Sequence, residues 1–247
     1  MTVVGILQPG YLPWAGFFEQ LHRSDVFVLY DDVQYDKNGW RNRNRIKTPD
    51  GPQWLTVPVF LKHRDMVNDI RIDNKTNWKR KHLTSLRQNY AKSPYMKEYL
   101  PIFEEGYGRD WDFLVDLDMF FIEKLAAAFG IKGRRTVRSS ELGVVGDRIM
   151  RLINICKACG GDTFYEGAAG ASYIDCAFFA SRGVRVVFQN YRHPVYRQPY
   201  GEFVPYMSAV DMLFNCGPES LVTLVSGAGQ GQDEEHKNLK FGNNSQD

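Results

Sequence analysis

The run Val3-Val4-Gly5-Ile6-Leu7 constrains this chain more than any other stretch, because a strand with no polar side chain has no face to offer to water. Such a strand is covered on both sides, which is the situation of a central strand in a parallel sheet, and it predicts an α/β fold: a mostly parallel, Rossmann-like sheet with a helical insertion. Directly after it comes Gln8-Pro-Gly-Tyr-Leu-Pro-Trp14, a stiff aromatic loop. A helix from about Trp14 to His22 and a second apolar strand over 25–30 complete a strand-helix-strand unit. Its short crossover brings the first loop and Asp31-Asp32 close together at the carboxyl edge of the sheet, where open α/β sheets bind their ligands.

Further along, Trp54-Leu-Thr-Val-Pro-Val-Phe60 has strand character, with Pro58 marking an edge or a bulge. Residues 78–129 read as mostly helical, broken at Pro94, Pro101 and Gly106 to Gly108. Short strands at 135–137, 163–165 and 184–189 then alternate with helices at 147–159 and 173–181. This alternation predicts one α/β domain over residues 1–225, with the helical insertion at about 78–130. From Ser226 onward almost nothing could bury apolar area, so 226–247 reads as a disordered tail. With 247 residues, 43% of them hydrophobic, the rest can bury a full core.

A formal charge of +2 is too small for a general nucleic-acid partner, and none is expected. No segment approaches the ~20 apolar residues that cross a bilayer, so no membrane span is expected. The first residues enter a strand with no basic start or cleavage site, which points to the cytoplasm. Cys156-Lys-Ala-Cys159 ends an amphipathic helix in which Ile149, Leu152, Ile153 and Cys156 share a face. No second C-x-x-C completes a tetrahedral site. Core packing is therefore the reading preferred to zinc or redox chemistry, and no metal site is expected.

Four constellations could carry chemistry. In the first, Gln8, Tyr11 and Trp14 lie in the loop after the buried strand, where backbone N–H groups at a helix start favour anions; the alternative is a hydrophobic plug under the sheet. The second is Asp31-Asp32-Val-Gln34. Neighbouring residues on a strand face opposite ways, so only one aspartate should enter a given cleft. The third is Lys37-Asn-Gly-Trp40-Arg-Asn42-Arg43-Asn-Arg-Ile-Lys47. Strict alternation sets Arg41, Arg43, Arg45 and Lys47 on one strand face and Trp40 with Asn42 and Asn44 on the other. Arginine forks suit phosphates, although basic residues also guard strand edges. The fourth gathers Tyr165, Gly167, His193, Tyr196 and Gln198. Gly167 and Gly170 permit a close backbone approach, and His193 is the histidine best placed to titrate, unless it is a hydrogen-bonded structural residue. Ser208 reads as a helix cap with Asp211 as its capping-box acid.

Gln8-Pro-x-Tyr11-Leu-Pro-Trp14-x-Gly16-Phe-Phe, Ser24-Asp-x-Phe-Val-x-x-Asp31-Asp-Val-Gln34-Tyr, Trp40-x-Asn42-Arg-Asn44-x-Ile-Lys47, Trp54-Leu-Thr-Val-Pro and Ser208-x-x-Asp211-x-Leu-Phe-Asn215 together resemble the WbqC-like protein family, from about Val3 to Val225. The resemblance implies an accessory enzyme of bacterial surface-polysaccharide biosynthesis that moves an acyl or aminoacyl group onto an amino sugar. One departure is Tyr165-Glu166-Gly167, which stands where a Leu-Ser-Gly type sequence is expected. The opening strand-loop-helix-strand is also distantly similar to the nucleotidylyltransferase and pantoate ligase superfamily, which would bring in ATP. Trp14-Ala-Gly16-Phe17 stands in place of its His-x-Gly-His, so an ATP-dependent step would need Arg43, Lys47 or Lys62 to replace both imidazoles.

The expected reaction is amide formation on a nucleotide-linked or lipid-linked amino sugar. Arg43 and Lys47 would hold phosphates, Asn42 and Gln8 the sugar, and Trp14 and Tyr11 would wall the acyl donor. Asp32 or His193 would take the amine proton. Gln34, Lys37, Trp40, Tyr165, Gly167, Tyr196 and Gln198 complete the expected binding set. The alternative is a non-catalytic module holding a glycan precursor. A homo-oligomer stays open.

Overall fold

A computed structural model describes residues 1–37, 39–62 and 64–229. In chain order the elements are β1 (Val3–Leu7), α1 (Ala15–Arg23), β2 (Val26–Leu29), β3 (Arg43–Thr48), β4 (Gly51–Thr56), β5 (Val59–Phe60), β6 (Arg71–Ile72), α2 (Trp78–Asn89), α3 (Met96–Gly108) and α4 (Leu114–Ala128). Then follow β7 (Arg135–Arg138), α5 (Arg148–Ala158), β8 (Thr163–Glu166), α6 (Cys176–Ser181), β9 (Arg185–Phe188), α7 (Ala209–Cys216) and α8 (Ser220–Ser226).

The main sheet has five strands, all parallel, in the order β7-β2-β1-β8-β9. Chain progress runs outward from β1 to β7 on one side and from β8 to β9 on the other. The order therefore reverses between β1 and β8, which opens a crevice at their carboxyl ends. The apolar run at 3–7 is the middle strand of this sheet, covered on both faces as its composition requires.

Strand alternation divides the interior in two. Phe27 and Leu29 face a large core shared with Phe17, Phe18 and Leu21 of α1, Phe121 of α4 and Phe214 of α7. Val4, Ile6, Val26 and Val28 face a smaller core with Ile153 and Cys156 of α5 and Phe179 of α6. Burial in that second core pushes the Cys156 thiol up to about 12.

Four points differ from expectation. Residues 54–60 are not one strand: β4 pairs antiparallel with β3, the chain breaks at Val57-Pro58, and β5 pairs with β6. Pro58 has no N–H for a ladder, and the Val57 N–H is used by the Asn42 carbonyl at 2.8 Å. Pro101 lies inside α3 without ending it. It is the sixth of the thirteen residues of α3, and the burial of Phe103 and Tyr107 outweighs the bond it forfeits. Gly106 also stays helical, and the absence of a side chain there lets α3 pack on α4, since a Cβ would meet the Phe121 ring at 2.6 Å. The helix expected from Tyr173 begins only at Cys176, where the Asp175 side chain caps it.

At the expected tail, Ser226 closes α8 and Ala228 forms a bridge with Tyr191. The rest of that segment, 230–247, lies outside the described residues. None of the described helices is long and apolar enough to cross a membrane.

Candidate functional site

The loop between β1 and α1 is held from two directions. Its Leu12 carbonyl accepts from Asn44 Nδ2 of β3 at 2.7 Å and from Ser208 Oγ at 2.8 Å. The Pro13 carbonyl accepts from the Ala209 N–H that opens α7, and the Arg41 carbonyl accepts from the Tyr11 N–H, both at 2.9 Å. Ser208 also caps α7 through Val210 N. Side chains far apart in sequence thus fix one loop. Leu12 sits in the left-handed region at φ 45°, which for a non-glycine residue persists only under such restraint. Gly10 allows the loop to lie against the next segment, since a Cβ would stand 2.8 Å from the Trp40 carbonyl oxygen.

Beside this loop runs a cavity of about 450 Å³, lined by Leu7, Gln8, Gly10, Pro13, Trp14 and Phe17 from one side and by Trp40, Arg41, Asn44, Arg45 and Tyr206 from the other. It lies at the carboxyl end of β1, between the β1–α1 loop and β3. Three aromatic walls carry the apolar contact. Trp14 lies 5.6 Å from Tyr206 between ring centroids, and Trp40 stacks toward Trp54 at 5.1 Å. Tyr206 too is held in the left-handed region, at φ 61°.

The polar atoms in these walls are under-used. Gln8 Oε1, Arg41 Nε and Arg45 Nε are buried and have no hydrogen-bond partner. Arg41 Nη1 donates to the Gln8 and Pro9 carbonyls at 2.9 and 3.0 Å, and burial holds its guanidinium below its ordinary value. Arg45 lies over Trp40 at 5.4 Å and donates to the Tyr206 carbonyl at 3.4 Å. Buried polar groups normally find partners inside a fold. Two N–H donors and one amide acceptor left unmet beside one aromatic cavity are the set that a ligand with a flat ring, acceptor oxygens and a donating hydroxyl would complement.

His193 stands just behind this cavity, among Trp14 (6.3 Å), Tyr206 (5.9 Å) and Phe203 (5.4 Å). Its Nδ1 is 3.2 Å from the Pro194 carbonyl and its buried Nε2 has no partner. Burial pulls the imidazole below its ordinary 6.5, which favours the neutral form.

The other expected residues part company with the groove. Asp31 is fully buried and accepts from Arg138 Nε at 2.6 Å, Ser140 N at 3.0 Å, Ser140 Oγ at 2.9 Å and Ser139 Oγ at 3.1 Å. Burial alone would raise its carboxyl; these bonds outweigh that and hold it below the usual range. Asp32 is ion-paired with Arg151 and bonded by Ser139. The two aspartates therefore approach the same serine, against the expectation that they diverge. β2 ends at Leu29, so strand alternation no longer governs them.

Several binding candidates are structural. Tyr11 is completely buried, with its hydroxyl bonded to Tyr107 and to His82 Nδ1, so it cannot wall a groove. Asn42 Nδ2 donates to the Val57 carbonyl at 2.8 Å. Arg43 stacks on Trp54 at 4.7 Å and donates to the Gly39 carbonyl. Lys47 is buried and donates to the Glu202 carbonyl. The alternation is real, but Trp54 lies opposite Arg45 in the ladder and covers the cationic face. Of the β3 cations expected to form a phosphate ladder, only Arg45 lines the cavity.

Tyr165 donates to both oxygens of buried Glu19 at 3.1 Å. Tyr196 and Gln198 each donate to Asp211 Oδ1 at 2.8 Å, and Tyr90 donates to its Oδ2 at 2.7 Å. Asp211 is thus a buried hub rather than a simple capping acid. Gly167 has open space where a side chain would go; the tight position is Gly170, whose Cβ would overlap Glu166. Gln34 and Lys37 line a separate, polar cavity of about 340 Å³ with Lys62 and Arg64. Of the expected binding residues, Gln8, Trp14 and Trp40 line the groove, with His193 behind it.

Arg41 and Arg45 were expected on the cationic face but given no role of their own, and Tyr206 was not expected at the site. Arg41 and Arg45 carried a signal, since they flank Asn42 and Asn44 in the basic run. Tyr206 had none beyond its place before Ser208. Glu166, at the end of β8, accepts from Tyr173 Oη at 2.9 Å, and burial pushes its carboxyl up to about 7. The fit to ATP fails at the decisive place: an indole and the core residue Phe17 occupy the positions of the two phosphate-stabilising imidazoles, and Arg43, Lys47 and Lys62 are absent from the groove lining.

The profile of the WbqC-like protein family matches residues 8–223. The "Uncharacterized protein Rv1507c" of Mycobacterium tuberculosis (strain ATCC 25618 / H37Rv) is 34% identical over 227 residues, which cover 89% of this chain and 96% of that protein. No solved structure matches.

Proposed function

The chain belongs to the WbqC-like protein family, and from that premise we propose that its groove binds a nucleotide-linked or lipid-linked amino sugar, to whose amine the protein joins an acyl or aminoacyl group in surface-polysaccharide (O-antigen) biosynthesis. The observation that carries the binding half is the coincidence, in one aromatic cavity, of partnerless Gln8 Oε1, Arg41 Nε and Arg45 Nε. A planar base or sugar face stacks against Trp14 or Trp40, phosphate oxygens meet the arginines, and a sugar hydroxyl donates to Gln8.

In the transfer, the amine nitrogen bonds to the acyl carbon while the bond from that carbon to the donor's leaving group breaks, and the nitrogen releases a proton. His193, favoured in its neutral form and with a partnerless Nε2 beside Trp14, is the group on this side of the sheet suited to take it. The test combines the protein with UDP-glucosamine and a panel of activated acyl donors, with acyl-coenzyme A and acyl phosphates among them. A new amide mass that is lost in His193→Asn supports transfer.

A non-catalytic module that holds the precursor is the second reading. It is favoured by Asp32, the other expected base, being occupied by Arg151 and Ser139. Tight UDP-sugar binding without turnover across the donor panel decides for it.

A further inference from the structure

The polar cavity of about 340 Å³ that stands apart from the groove is built by two stretches which the backbone holds face to face. The Tyr35 N–H donates to the Asp65 carbonyl and the Val67 N–H to the Val33 carbonyl, both at 2.9 Å, and Gln34 bridges Met66 in antiparallel register. The first stretch brings Gln34, Tyr35 and Lys37 to the lining, and the second brings Lys62, Arg64 and Asp65. In an antiparallel pair, residues that follow the bridge in one stretch lie opposite those that precede it in the other. Lys37 therefore comes to the wall facing Lys62 and Arg64. Arg64 takes the left-handed region at φ 66°, which a non-glycine residue keeps only where its surroundings hold it.

The charge of this lining is one-sided. Lys37, Lys62 and Arg64 are exposed cations, and among the described residues none of the three takes part in an ion pair or a side-chain hydrogen bond. The lining's carboxylate, Asp65, is engaged by the Lys62 backbone N–H, which donates to its Oδ2 at 2.6 Å. Asp36 points to Gly39 instead, with its Oδ2 2.5 Å from where a Cβ on Gly39 would stand. Gln34 adds an exposed amide, and Tyr35 a hydroxyl that is buried without a partner. A concave wall of one charge sign concentrates counter-ions more strongly than the same charges spread over a convex face. Lysine supplies rotatable donors and arginine a planar fork, and phosphate oxygens match both. The volume falls at the lower end of the range of about 300–1,000 Å³ found for small-molecule pockets. A phosphate or diphosphate on a small substituent has that size and that charge.

We infer that this cavity is a second anion site, which binds the phosphate or diphosphate group of a small molecule between Lys37 on one wall and Lys62 with Arg64 on the other. It does not depend on the nucleotide-sugar reading, because Lys37 lines this cavity and not the groove, whereas Trp40 and Arg41 line the groove and not this cavity. Three residues of chain span at most about 11 Å, so the two sites are neighbours. The test titrates inorganic pyrophosphate into the full chain by calorimetry. NMR of isotope-labelled arginine Nε groups reads where it binds, with the Arg64 and Arg45 signals assigned through Arg64→Gln and Arg45→Gln.

The expected result is saturable binding that shifts the Arg64 signal at a lower concentration than that of Arg45. It should weaken at least tenfold when Lys62→Gln and Arg64→Gln are combined in a chain shown by circular dichroism to be folded. Combining Lys81→Gln with Lys132→Gln, exposed lysines outside the lining, removes the same charge and should leave the affinity unchanged. Vesicles of phosphatidylcholine with phosphatidic acid present the same group on a lipid. Sedimentation with them that the first pair abolishes and the second does not supports the site and assigns its source to a headgroup. Failure to bind either pyrophosphate or vesicles overturns the inference. So do an Arg64 signal that stays still, an equal loss in both pairs, and affinity that survives in the first pair. If UDP fails to bind while pyrophosphate still shifts Arg64, the groove reading falls and the anion site stands.

Discussion

Two regions at the carboxyl edge of the same sheet looked alike in sequence and differ in the fold. The loop after β1 and the Asp31-Asp32 pair after β2 both follow buried strands and both carry polar groups into the interior. Around Asp31 and Asp32 the side chains of Arg138, Ser139, Ser140 and Arg151 meet the carboxylates closely. Around Gln8, Arg41 and Arg45, polar atoms remain without partners beside a cavity. A satisfied polar cluster is an anchor, whereas an unsatisfied one next to open space is what the proposed ligand site requires. The distinction is made by partners, not by residue type.

The sharpest way to break this comparison is Asp31→Ala. It strands Arg138 and removes a buried acceptor, so urea unfolding should show a loss of about 3–5 kcal/mol. A loss under about 1 kcal/mol would make the aspartates no anchor at all. The same carboxyl gives a pH signature. Its folded value lies below the unfolded one, so its stabilisation is present above about pH 4 and is lost as pH falls through the folded value. Unfolding midpoints measured between pH 3 and 6 should therefore fall less steeply with acid in Asp31→Asn.

Glu166, on the β8 end of the same edge, shifts in the opposite direction. Its folded value of about 7 exceeds the ordinary 4.5, so stability is greatest below the unfolded value and declines as pH rises through the folded one, by up to about 3 kcal/mol. In Glu166→Gln the stability curve should be flatter between pH 4.5 and 7.5; an unchanged slope would remove Glu166 from this account.

On the groove side, Arg45→Gln should weaken UDP binding by about tenfold, ~1.4 kcal/mol, while the urea midpoint moves little. A large stability loss with unaltered UDP affinity would turn the groove into another anchor. The smallest effect is expected for Asn42→Ala, which loses its bond to the Val57 carbonyl and about 1 kcal/mol of stability, with UDP affinity intact.

Much of the scaffold was legible in the chain. The strand at 3–7 and the helix cap at Ser208 coincide with the structure, because each depends on local pattern: an unbroken apolar run or a hydroxyl before a helix. The same local logic placed the cations of 43–47 on one strand face. It could not reveal that Trp54 covers that face, since this depends on which residue of β4 lies opposite Arg45. Tyr11 shows the same limit. Its position in a Pro/Gly loop suited a ligand wall, but α2 and α3 bring His82 and Tyr107 to its hydroxyl.

The amino-acid sequence by itself determined the buried middle strand, the alternation that builds a parallel sheet and the family, because hydrophobic period, turn chemistry and long motifs act over neighbouring residues. Tertiary structure alone decided which polar side chains are left without a partner. Whether Gln8 Oε1, Arg41 Nε or Arg45 Nε has a partner depends on residues tens of positions away, and only packing brings those within the ~3 Å at which a hydrogen bond forms.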